Sequence, residues 1–276
     1  MIELDDKELK QLQMIELEML QEVARICNLH NIKYTIIGGT LLGAVRHGGF
    51  IPWDDDADVA MLRPEYEKFC NIINESLDHS RFYFQDMEHT QGYRWGYGKI
   101  RRKNTVFLRE GQEEMPYEQG VFLDIFPIDG TPDSFLLRII HEFRCFIVRK
   151  ILWSSVGRKT EKNKLIRNIY KVLYLIPDNT VKKMYRGLIL KKHSEDTEVV
   201  RTLTFPSHGP LHGYYRNWFA ETAPIEFEGI RFEGVKDYKG WLTYEFGDYM
   251  KIPPKEKQKA HPVSEIKLID VEIKRG

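Results

Sequence analysis

The sequence predicts a mixed α/β fold in which a β-sheet is flanked by helices. Residues 5–27 carry apolar side chains at spacings of three and four, as in a helix packed along one face. Residues 34–37 form a short β-rich run, and residues 56–61 alternate with the period of a strand. With 276 residues, 42% of them hydrophobic, the chain can bury a sizeable core. We expect three parts, at residues 1–133, 134–200 and 201–276.

The first helix is predicted to begin at Asp5 or Asp6, since either side chain can cap it, and to end near residue 27. Its apolar residues predict a face that packs on the sheet. They are Leu9, Leu12, Ile15, Met19, Val23, Ile26 and Cys27. Residues 28–31 then form the turn into the first strand.

Four acidic residues are crowded into residues 54–58. They are Asp54, Asp55, Asp56 and Asp58. Carboxylates this close repel one another unless cations or hydrogen-bond donors offset the repulsion. If residues 56–61 form a strand, Asp56 and Asp58 point to the same face and make an oxygen-rich site that suits Mg²⁺ or Mn²⁺. Asp54 and Asp55 could bind a metal, a cationic head group or neither.

Gly38, Gly39 and Thr40 lie between the first strand and a helix expected over residues 40–45. Glycine lets the backbone approach a phosphate closely, and the N–H groups at the start of the helix would face that anion. A phosphate-binding turn beside metal-binding carboxylates is typical of phosphoryl or nucleotidyl transfer.

Residues 63–108 predict a helix that begins near Pro64, a strand over residues 81–86, and two strands within residues 93–108. A turn over residues 101–104 joins those two strands, and Lys99 and Arg101 share a face. Basic side chains beside a metal site could neutralise substrate phosphates. Alternatively, these residues, with Arg102 and Lys103, could guard a solvated sheet edge.

Asp124 interrupts an otherwise apolar strand, residues 121–126. An unpaired charge in a buried strand is unfavourable, so Asp124 is expected to face a metal or a basic partner. The alternative is a structural salt bridge with Arg46 or Lys99. Asp129 precedes Gly-Thr-Pro and is predicted to be a turn residue.

The segment from residue 138 to residue 201 carries sixteen Lys or Arg and six acidic residues. Its apolar periodicity predicts helices over residues 135–153, 163–176 and 180–193, with residues 157–159 and 177–179 between them. Such helices could dock at an anionic membrane surface, or could cap the core with one face solvated.

The C-terminal part predicts a hairpin over residues 225–232 and a helix over residues 238–246. Lys257 and His261 follow in a polar tail. These two residues could bind phosphate or assist proton transfer, or could lie in solvent.

The cysteines and two closely spaced histidines do not form a recognisable metal or disulfide pattern. Cys27, Cys70 and Cys145 lie far apart within apolar helical patterns, so we expect them to be buried and reduced. His208 and His212 have the spacing of ligands on a helix, but the Gly-Pro pair between them favours a loop.

Residues 38–58, GGTLLGAVRHGGFIPWDDDAD, resemble the LicD family of phosphocholine transferases, whose relatives include the fukutin-related proteins. The order of strand, Gly-Gly-Thr, helix and Asp-x-Asp strand looks like the nucleotidyltransferase fold. The phrases FEG, YEFGDYM and IPPKEK extend the similarity over nearly the whole chain. The resemblance implies a nucleotidyltransferase-like mixed sheet in residues 1–133, a basic helical region, and a C-terminal segment that completes the site.

The resemblance implies that Asp56, Asp58 and Asp124 are catalytic and bind the metal, with Asp54 as a further candidate ligand. Asp124 would deprotonate or orient the attacking hydroxyl, or share the metal. The residues expected to bind substrate or phosphate are Gly38, Gly39, Thr40, Arg46, His47, Lys99, Arg101, Lys257 and His261.

The implied reaction moves phosphocholine from CDP-choline, or a related CDP-alcohol, to a sugar hydroxyl of a cell-surface glycan such as teichoic acid or lipopolysaccharide. Mg²⁺ or Mn²⁺ would be the cofactor, and the acceptor would be lipid-linked. The formal net charge of zero argues against nucleic acid as a partner. The polar, acidic N-terminus lacks the pattern of a signal peptide, so we expect a cytoplasmic protein, with peripheral contact at the inner face of the cell membrane as a further hypothesis.

Two other functions fit parts of the pattern. One is a nucleotidyltransferase that adds NMP to a small acceptor. The other is a non-enzymatic module in which the acidic residues hold a structural Ca²⁺, although the spacing is not that of an EF-hand. The aromatic residues near the site could form a cage for quaternary ammonium, or could belong to the core. They are Phe50, Trp53, Tyr93, Trp95 and Tyr97.

Overall fold

The computed structural model describes residues 2–190, 197–206 and 209–273, and these form a mixed β-sheet flanked by helices. The predicted α/β class is therefore confirmed. The helices are α1 (Asp6–Leu29), α2 (Gly38–His47), α3 (Arg63–Ser76), α4 (Phe135–Thr160), α5 (Lys164–Tyr174), α6 (Asp178–Arg186), α7 (Asn217–Ala220) and α8 (Tyr238–Phe246). The strands are β1 (Thr35–Ile36), β2 (Asp58–Leu62), β3 (Phe82–Gln85), β4 (Gly98–Arg102), β5 (Val106–Arg109), β6 (Phe122–Gly130), β7 (Val199–Arg201), β8 (Tyr214–Tyr215), β9 (Thr222–Phe227), β10 (Ile230–Val235) and β11 (Val263–Lys267).

The main sheet has the strand order β3-β4-β6-β2-β1-β10-β9, and β7 extends it from the end of β6. The pairs β2–β6 and β1–β10 are parallel, whereas β3–β4, β4–β6 and β1–β2 are antiparallel. This sheet takes strands from both the first and the third of the predicted parts, and the three-part division stays a prediction.

The predicted hairpin within residues 93–108 is wrong, because its two strands belong to different sheets. β4 pairs with β3 and β6, while β5 pairs with β11 in a separate two-stranded sheet. The turn between them directs β5 away from the main sheet and towards the C-terminal segment. That change of partner proves important for the site.

Helix α1 starts at the predicted cap and buries the predicted face. Asp5 and Glu8 form a capping box, in which each side chain accepts a hydrogen bond from the other residue's N–H group. Leu12, Ile15 and Met19 are fully buried in the main core. A charged side chain, Glu16, lies on the same buried face.

The starts of α2 and β2, the two elements next to the acidic residues, differ from the prediction. Helix α2 begins at Gly38, so the glycines form its first turn rather than a loop before it. Strand β2 begins at Asp58, and Asp56 lies in the preceding loop. The expected alternation of Asp56 and Asp58 along one strand is therefore wrong, because only Asp58 belongs to the strand.

Strand β6 is longer than predicted and contains Asp129, which is not a turn residue. The Asp129 carboxylate is fully buried and accepts two hydrogen bonds from Arg63, from Nε and Nη2, each of 2.6 Å. This bidentate pair ties the start of α3 to the end of β6, and its role is structural.

Helix α4 continues through residues 157–159, where a break was predicted. Gly157 lies against the ring of Tyr170 on α5, and a Cβ atom at Gly157 would come within 2.6 Å of that ring. The glycine therefore serves close helix packing rather than helix termination. Helices α5 and α6 are shorter than predicted, and residues 191–193 of the third predicted helix lie outside the described residues.

Helices α4 and α6 build a second, smaller core around Cys145, Val148, Leu152 and Tyr185. Much of the remaining apolar surface of α4 and α5 faces outwards. Among the helices of the described residues, none combines the length and the hydrophobicity that crossing a bilayer requires.

The C-terminal hairpin and helix form as predicted. Strands β9 and β10 meet at Glu228 and Gly229, which both have positive φ, and α8 spans the predicted residues. His212 lies outside the helices and pairs with Glu142, whereas His208 lies outside the described residues. The three cysteines are free thiols, and Cys27 and Cys145 are buried.

Candidate functional site

Three charged side chains form a row across neighbouring strands of the main sheet. Asp58 of β2 is directly opposite Asp124 of β6, and Asp124 is directly opposite Lys99 of β4. Residues opposite one another in a sheet point to the same face, so these side chains meet. The Lys99 Nζ donates to Asp124 Oδ1, and both side chains are nearly fully buried. The sheet register therefore brings together residues that are 25 to 66 positions apart.

The first turn of α2 packs against the acidic loop. The Thr40 hydroxyl accepts a hydrogen bond of 2.9 Å from the Asp58 N–H. A Cβ atom at Gly38, where φ is +60°, would lie 2.9 Å from Asp58 Oδ2, and one at Gly39 would overlap the Asp54 carboxylate. Only glycine leaves room for these two carboxylates to approach the start of the helix. The backbone partial charge there is positive and favours the carboxylates.

The carboxylates at this place repel one another in a buried setting. Burial, and then the charges of Asp56 and Asp124, raise the pKa of Asp58 well above its usual range. Burial, and then Asp56 and Asp55, raise the pKa of Asp54 to about 8. Burial also raises the pKa of Asp124, although Lys99 opposes the change. These three acids are therefore short of positive charge.

Lys99 is the cation that contacts Asp124, the middle residue of the row. Burial lowers the pKa of its ammonium group to about 8, against the opposing pull of Asp124. The ammonium also lies 3.4 Å from the centroid of the Phe122 ring. Of the two partners weighed for Asp124, Lys99 is the one in contact, so the alternative of a salt bridge is realised, and the catalytic role of Asp124 stays a prediction.

A second group of charges lies beside the row. Arg109, at the end of β5, donates from Nη2 to Asp56 Oδ2 at 3.1 Å. His261 donates from its backbone N–H to Asp55 Oδ2 at 3.0 Å, and its Nδ1 lies 2.8 Å from Asp55 Oδ1. Burial alone would raise the pKa of Asp55, but the hydrogen bonds and charge of His261 outweigh it and lower that pKa. The β5–β11 pairing, which sets Val263 opposite Arg109, brings His261 to this position.

These groups open into a cavity of about 600 Å³. Asp56, Asp58, Asp124, Lys99 and Arg109 contribute to its polar side. Its aromatic side consists of Trp95, Tyr97, Phe122, Phe126, Trp153 and Phe205. The Tyr97 and Phe126 ring centroids are 4.7 Å apart, and those of Trp95 and Trp153 are 6.0 Å apart. A charged floor beside an aromatic wall is suited to a ligand with both ionic and apolar parts.

Only part of the predicted aromatic cage reaches this cavity. Trp95 and Tyr97 line it. Phe50 instead packs on Phe227 in the core, Trp53 packs against His47, and Tyr93 is buried and donates to the Tyr97 carbonyl. The remainder of the wall comes from residues that are distant in the sequence, namely Phe122 and Phe126 of β6, Trp153 of α4, and Phe205.

The predicted substrate-binding residues fall into three groups. Lys99 and His261 line the cavity. Gly38, Gly39 and Thr40 instead pack against the Asp54 and Asp58 residues. The others do not line the cavity. Arg46 donates to the carbonyls of Tyr249 and Lys251, and His47 is exposed beside it. Arg101 is buried, where it donates to Gln85 and the Gly120 carbonyl, and Lys257 is exposed in a short turn.

Sequence reasoning missed three residues at or beneath the site. Arg109 was missed because its position next to the acidic loop depends on β5 leaving the main sheet. Glu16 and Gln13 lie under the loop, where Gln13 Nε2 donates to the carbonyls of Ile51 and Asp54 at 3.2 and 3.0 Å. Burial, and then the charges of Asp56 and Asp55, raise the pKa of Glu16 well above its usual range. Glu16 and Gln13 are polar residues on the buried, apolar face of α1, and this position in the sequence could have indicated that they have polar partners there.

Two overlapping sets of residues could hold a divalent cation. The first set, which the sequence analysis predicted, is Asp56, Asp58 and Asp124, and its carboxylates are hard oxygen donors. A second set, Asp55, Asp56 and His261, has ligand atoms that all lie within 4.8 Å of one another. In the second set, however, Asp55 and His261 already satisfy each other. Burial and neighbouring carboxylates raise the pKa values of Asp58 and Asp124, and a cation held there would offset their charges, so Asp56, Asp58 and Asp124 stay the predicted ligands.

The helix start that packs against carboxylates, the two acids and the lysine in a row across a mixed sheet, and the adjoining cavity are the features expected of a phosphotransferase with a nucleotidyltransferase-like fold. The particular family follows from comparison with known sequences. Residues 31–136 match the nucleotidyltransferase domain of the LicD/FKTN/FKRP family. The chain thus contains a LicD-family domain, and the resemblance seen in the sequence is confirmed.

Individual relatives extend the similarity beyond that domain. The chain is 28% identical to the lipopolysaccharide cholinephosphotransferase LicD of Haemophilus influenzae over 269 residues, which is 95% of this chain and 98% of the relative. It is 43% identical to the human ribitol 5-phosphate transferase FKRP over 49 residues, 16% of this chain and 10% of that protein. The similarity to FKRP is therefore partial, whereas that to LicD covers both proteins almost completely.

Proposed function

We propose that this protein transfers phosphocholine, or a related phospho-alcohol, from a CDP-activated donor to a sugar hydroxyl of a cell-surface glycan. Lipopolysaccharide and teichoic acid are the candidate acceptors, and a lipid-linked acceptor would place the reaction at the inner face of the cell membrane. The observation that carries the proposal is the row Asp58–Asp124–Lys99 at the floor of a cavity with an aromatic wall. The full-length similarity to a cholinephosphotransferase supports it.

We propose Mg²⁺ or Mn²⁺ as the cofactor, held by Asp56, Asp58 and Asp124 with Asp54 close by. The fit rests on the chemistry of these donors, since they are carboxylates whose buried, mutually repelling charges raise the pKa of Asp54, Asp58 and Asp124. When bound, such an ion supplies positive charge to the transferred phosphoryl group and to the leaving oxygen.

The residues of the chain would divide the remaining tasks. A carboxylate of the row, Asp124 or Asp58, accepts the proton of the attacking sugar hydroxyl. The hydroxyl oxygen then bonds to the choline-bearing phosphorus, the bond to the bridging oxygen breaks, and CMP leaves with the electron pair of that bond. Lys99 and Arg109 supply fixed positive charge to the phosphates. Among the described residues, the buried Arg109 Nε has no hydrogen-bond partner, while Arg109 Nη2 donates to Asp56.

The aromatic wall would bind the choline group. A quaternary ammonium is attracted to the faces of aromatic rings and needs no hydrogen-bond acceptor. Trp95, Tyr97 and Phe205 line the same cavity as Asp58 and Asp124, so one ligand could contact both surfaces. We therefore expect CDP-choline to be preferred over CDP-glycerol and CDP-ribitol, whose polyols gain little from such a wall.

The proposal is tested by incubating the protein with Mg²⁺, each CDP-alcohol, and either lipopolysaccharide or its lipid-free core oligosaccharide. We expect CMP release together with transfer of phosphocholine, detected by mass spectrometry. Asp58→Asn should abolish both, and the exposed Asp133→Asn should change neither. CMP release that survives Asp58→Asn would contradict the proposed site.

A nucleotidyltransferase that adds NMP is the second candidate, because the domain family is named for that fold. It predicts release of pyrophosphate from CTP rather than CMP from CDP-choline. A structural Ca²⁺ module is the third candidate. It predicts that Asp58→Asn removes thermal stabilisation by Ca²⁺, while no turnover is found in the wild type.

A further inference from the structure

Helices α4 and α5 expose two apolar stripes to solvent. The α4 stripe includes Leu136, Ile140, Phe143 and Ile147, at spacings of four, three and four residues, with exposed fractions from 40% to 67%. The α5 stripe includes Leu165 and Ile169, which are 72% and 50% exposed. Side chains on a single packed domain rarely form such stripes in solution, so the surface is suited to a partner.

The helices that carry the stripes are packed on the protein by other residues. Gly157 and Lys150 of α4 contact Tyr170 of α5, and Arg158 of α4 lies over the Tyr174 ring at 4.0 Å. Their apolar stripes are therefore in excess of what the fold requires. The predicted alternative, in which both helices bury their apolar faces in a cap, accounts for only part of this surface.

The charge of the same segment favours an anionic partner. Residues 135–174 carry ten Lys or Arg and two Glu, a surplus of eight positive charges. Arg138 is buried against backbone carbonyls, but Arg144, Lys162, Lys164 and Lys171 are exposed. A second copy of this chain would set the same positive surface against itself. An anionic bilayer instead offers both an apolar interior and negative head groups.

The α4 stripe leads to the mouth of the candidate active site. Phe146, next to the stripe, lies within 5.5 Å of the charged groups of both Arg149 and Lys150. Arg149, Lys150 and the 43% exposed Trp153 line the cavity that holds the acidic row. Over the roughly five turns of α4 from Leu136 to Trp153, the exposed side chains thus change from apolar to basic and then reach the cavity wall.

We propose that the exposed stripes of α4 and α5 dock on an anionic lipid bilayer and present the cavity mouth at Trp153 to an acceptor anchored in that bilayer. The part of this proposal that concerns the acceptor rests on the proposed function. The docking itself depends only on the exposed apolar side chains and the basic residues around them.

Vesicle flotation tests the docking with the full chain. We expect the protein to float with vesicles of phosphatidylcholine and phosphatidylglycerol, to float much less with phosphatidylcholine alone, and to lose binding as salt rises. The variant Leu136→Glu/Phe143→Glu should reduce binding by about tenfold or more, since two apolar side chains no longer enter the bilayer. Leu29→Glu is the matched control, because Leu29 is 66% exposed on α1, and it should bind as the wild type does.

Charge is tested separately. Lys164→Glu/Lys171→Glu should weaken binding by about fivefold or more per residue, whereas Lys239→Glu on α8 should have little effect. Absence of wild-type binding to anionic vesicles, or an equal loss in the Leu29 and Lys239 controls, would overturn the docking surface. So would a stable dimer that Leu136→Glu/Phe143→Glu dissociates, since a second copy would then cover the stripes.

CMP release separates this inference from the proposed function. The Leu136→Glu/Phe143→Glu variant should retain CMP release with the lipid-free core oligosaccharide and lose it with vesicle-embedded lipopolysaccharide. Loss with both acceptors would contradict a role limited to docking. If the wild type binds anionic vesicles but releases no CMP with any acceptor, the proposed function fails while the docking surface stands.

Discussion

The buried pair Lys99–Asp124 allows the sharpest test of how the site is held together. The side chains are only 6% and 7% exposed, and each is the other's direct ionic partner. Lys99→Met would leave the Asp124 carboxylate buried beside Asp58 without its cation, and Asp124→Asn would leave a buried ammonium. Removing one partner of such a pair typically destabilises a protein by about 3–5 kcal/mol, whereas removing both is often close to neutral.

We therefore expect the double variant Lys99→Met/Asp124→Asn to be more stable than either single variant, with a coupling energy of about 3 kcal/mol. Urea unfolding in the presence of EDTA would measure it. The exposed pair Lys68–Glu65, whose Lys68 side chain is 60% exposed, is the control and should show coupling below about 0.5 kcal/mol. All three variants at Lys99 and Asp124 should lack CMP release, because restored stability does not restore the lost charges. Additive effects of the two substitutions, within about 0.5 kcal/mol, would refute the reasoning.

Three further outcomes follow from the structure. Gly38→Ala should reduce both stability and CMP release, because it adds a Cβ beside Asp58 to the strain of a positive φ. Gly48, with φ +71° and open space around it, is the control, and Gly48→Ala should bring only the backbone strain of about 1–2 kcal/mol. Equal loss of CMP release in the two variants would contradict this. Burial raises the pKa of Glu16, so the folded wild type resists ionisation of this side chain and loses stability as pH rises above about 4.5. Glu16→Gln avoids this loss and should gain stability relative to the wild type by up to about 1.4 kcal/mol per pH unit. Urea unfolding that shows the same stability difference between the two proteins at every pH would contradict the reasoning. Burial raises the pKa of Cys145 to about 11, so this thiol should resist alkylation at neutral pH in the folded protein and react once urea is added. Rapid labelling of Cys145 in the native chain would contradict its burial.

The sequence by itself determined the features that are local. The helix cap at Asp5, the hairpin at Glu228-Gly229 and helix α8 depend on neighbouring residues, and each lies where it was predicted. The string over residues 38–58 carried the family resemblance, because a helix start that must accommodate carboxylates allows few alternatives to glycine.

The tertiary structure decided which charges meet. Asp124 acquires Asp58 and Lys99 as neighbours through strand register, and Arg109 reaches Asp56 only because β5 leaves the main sheet to pair with β11. Arg101, two residues from Lys99, instead donates to Gln85 and a carbonyl. Helical spacing alone could not show whether the apolar faces of α4 and α5 are covered, since burial depends on elements far away in the chain. Contacts between distant segments are set by the free energy of the whole fold, and a local pattern of residues does not contain that information.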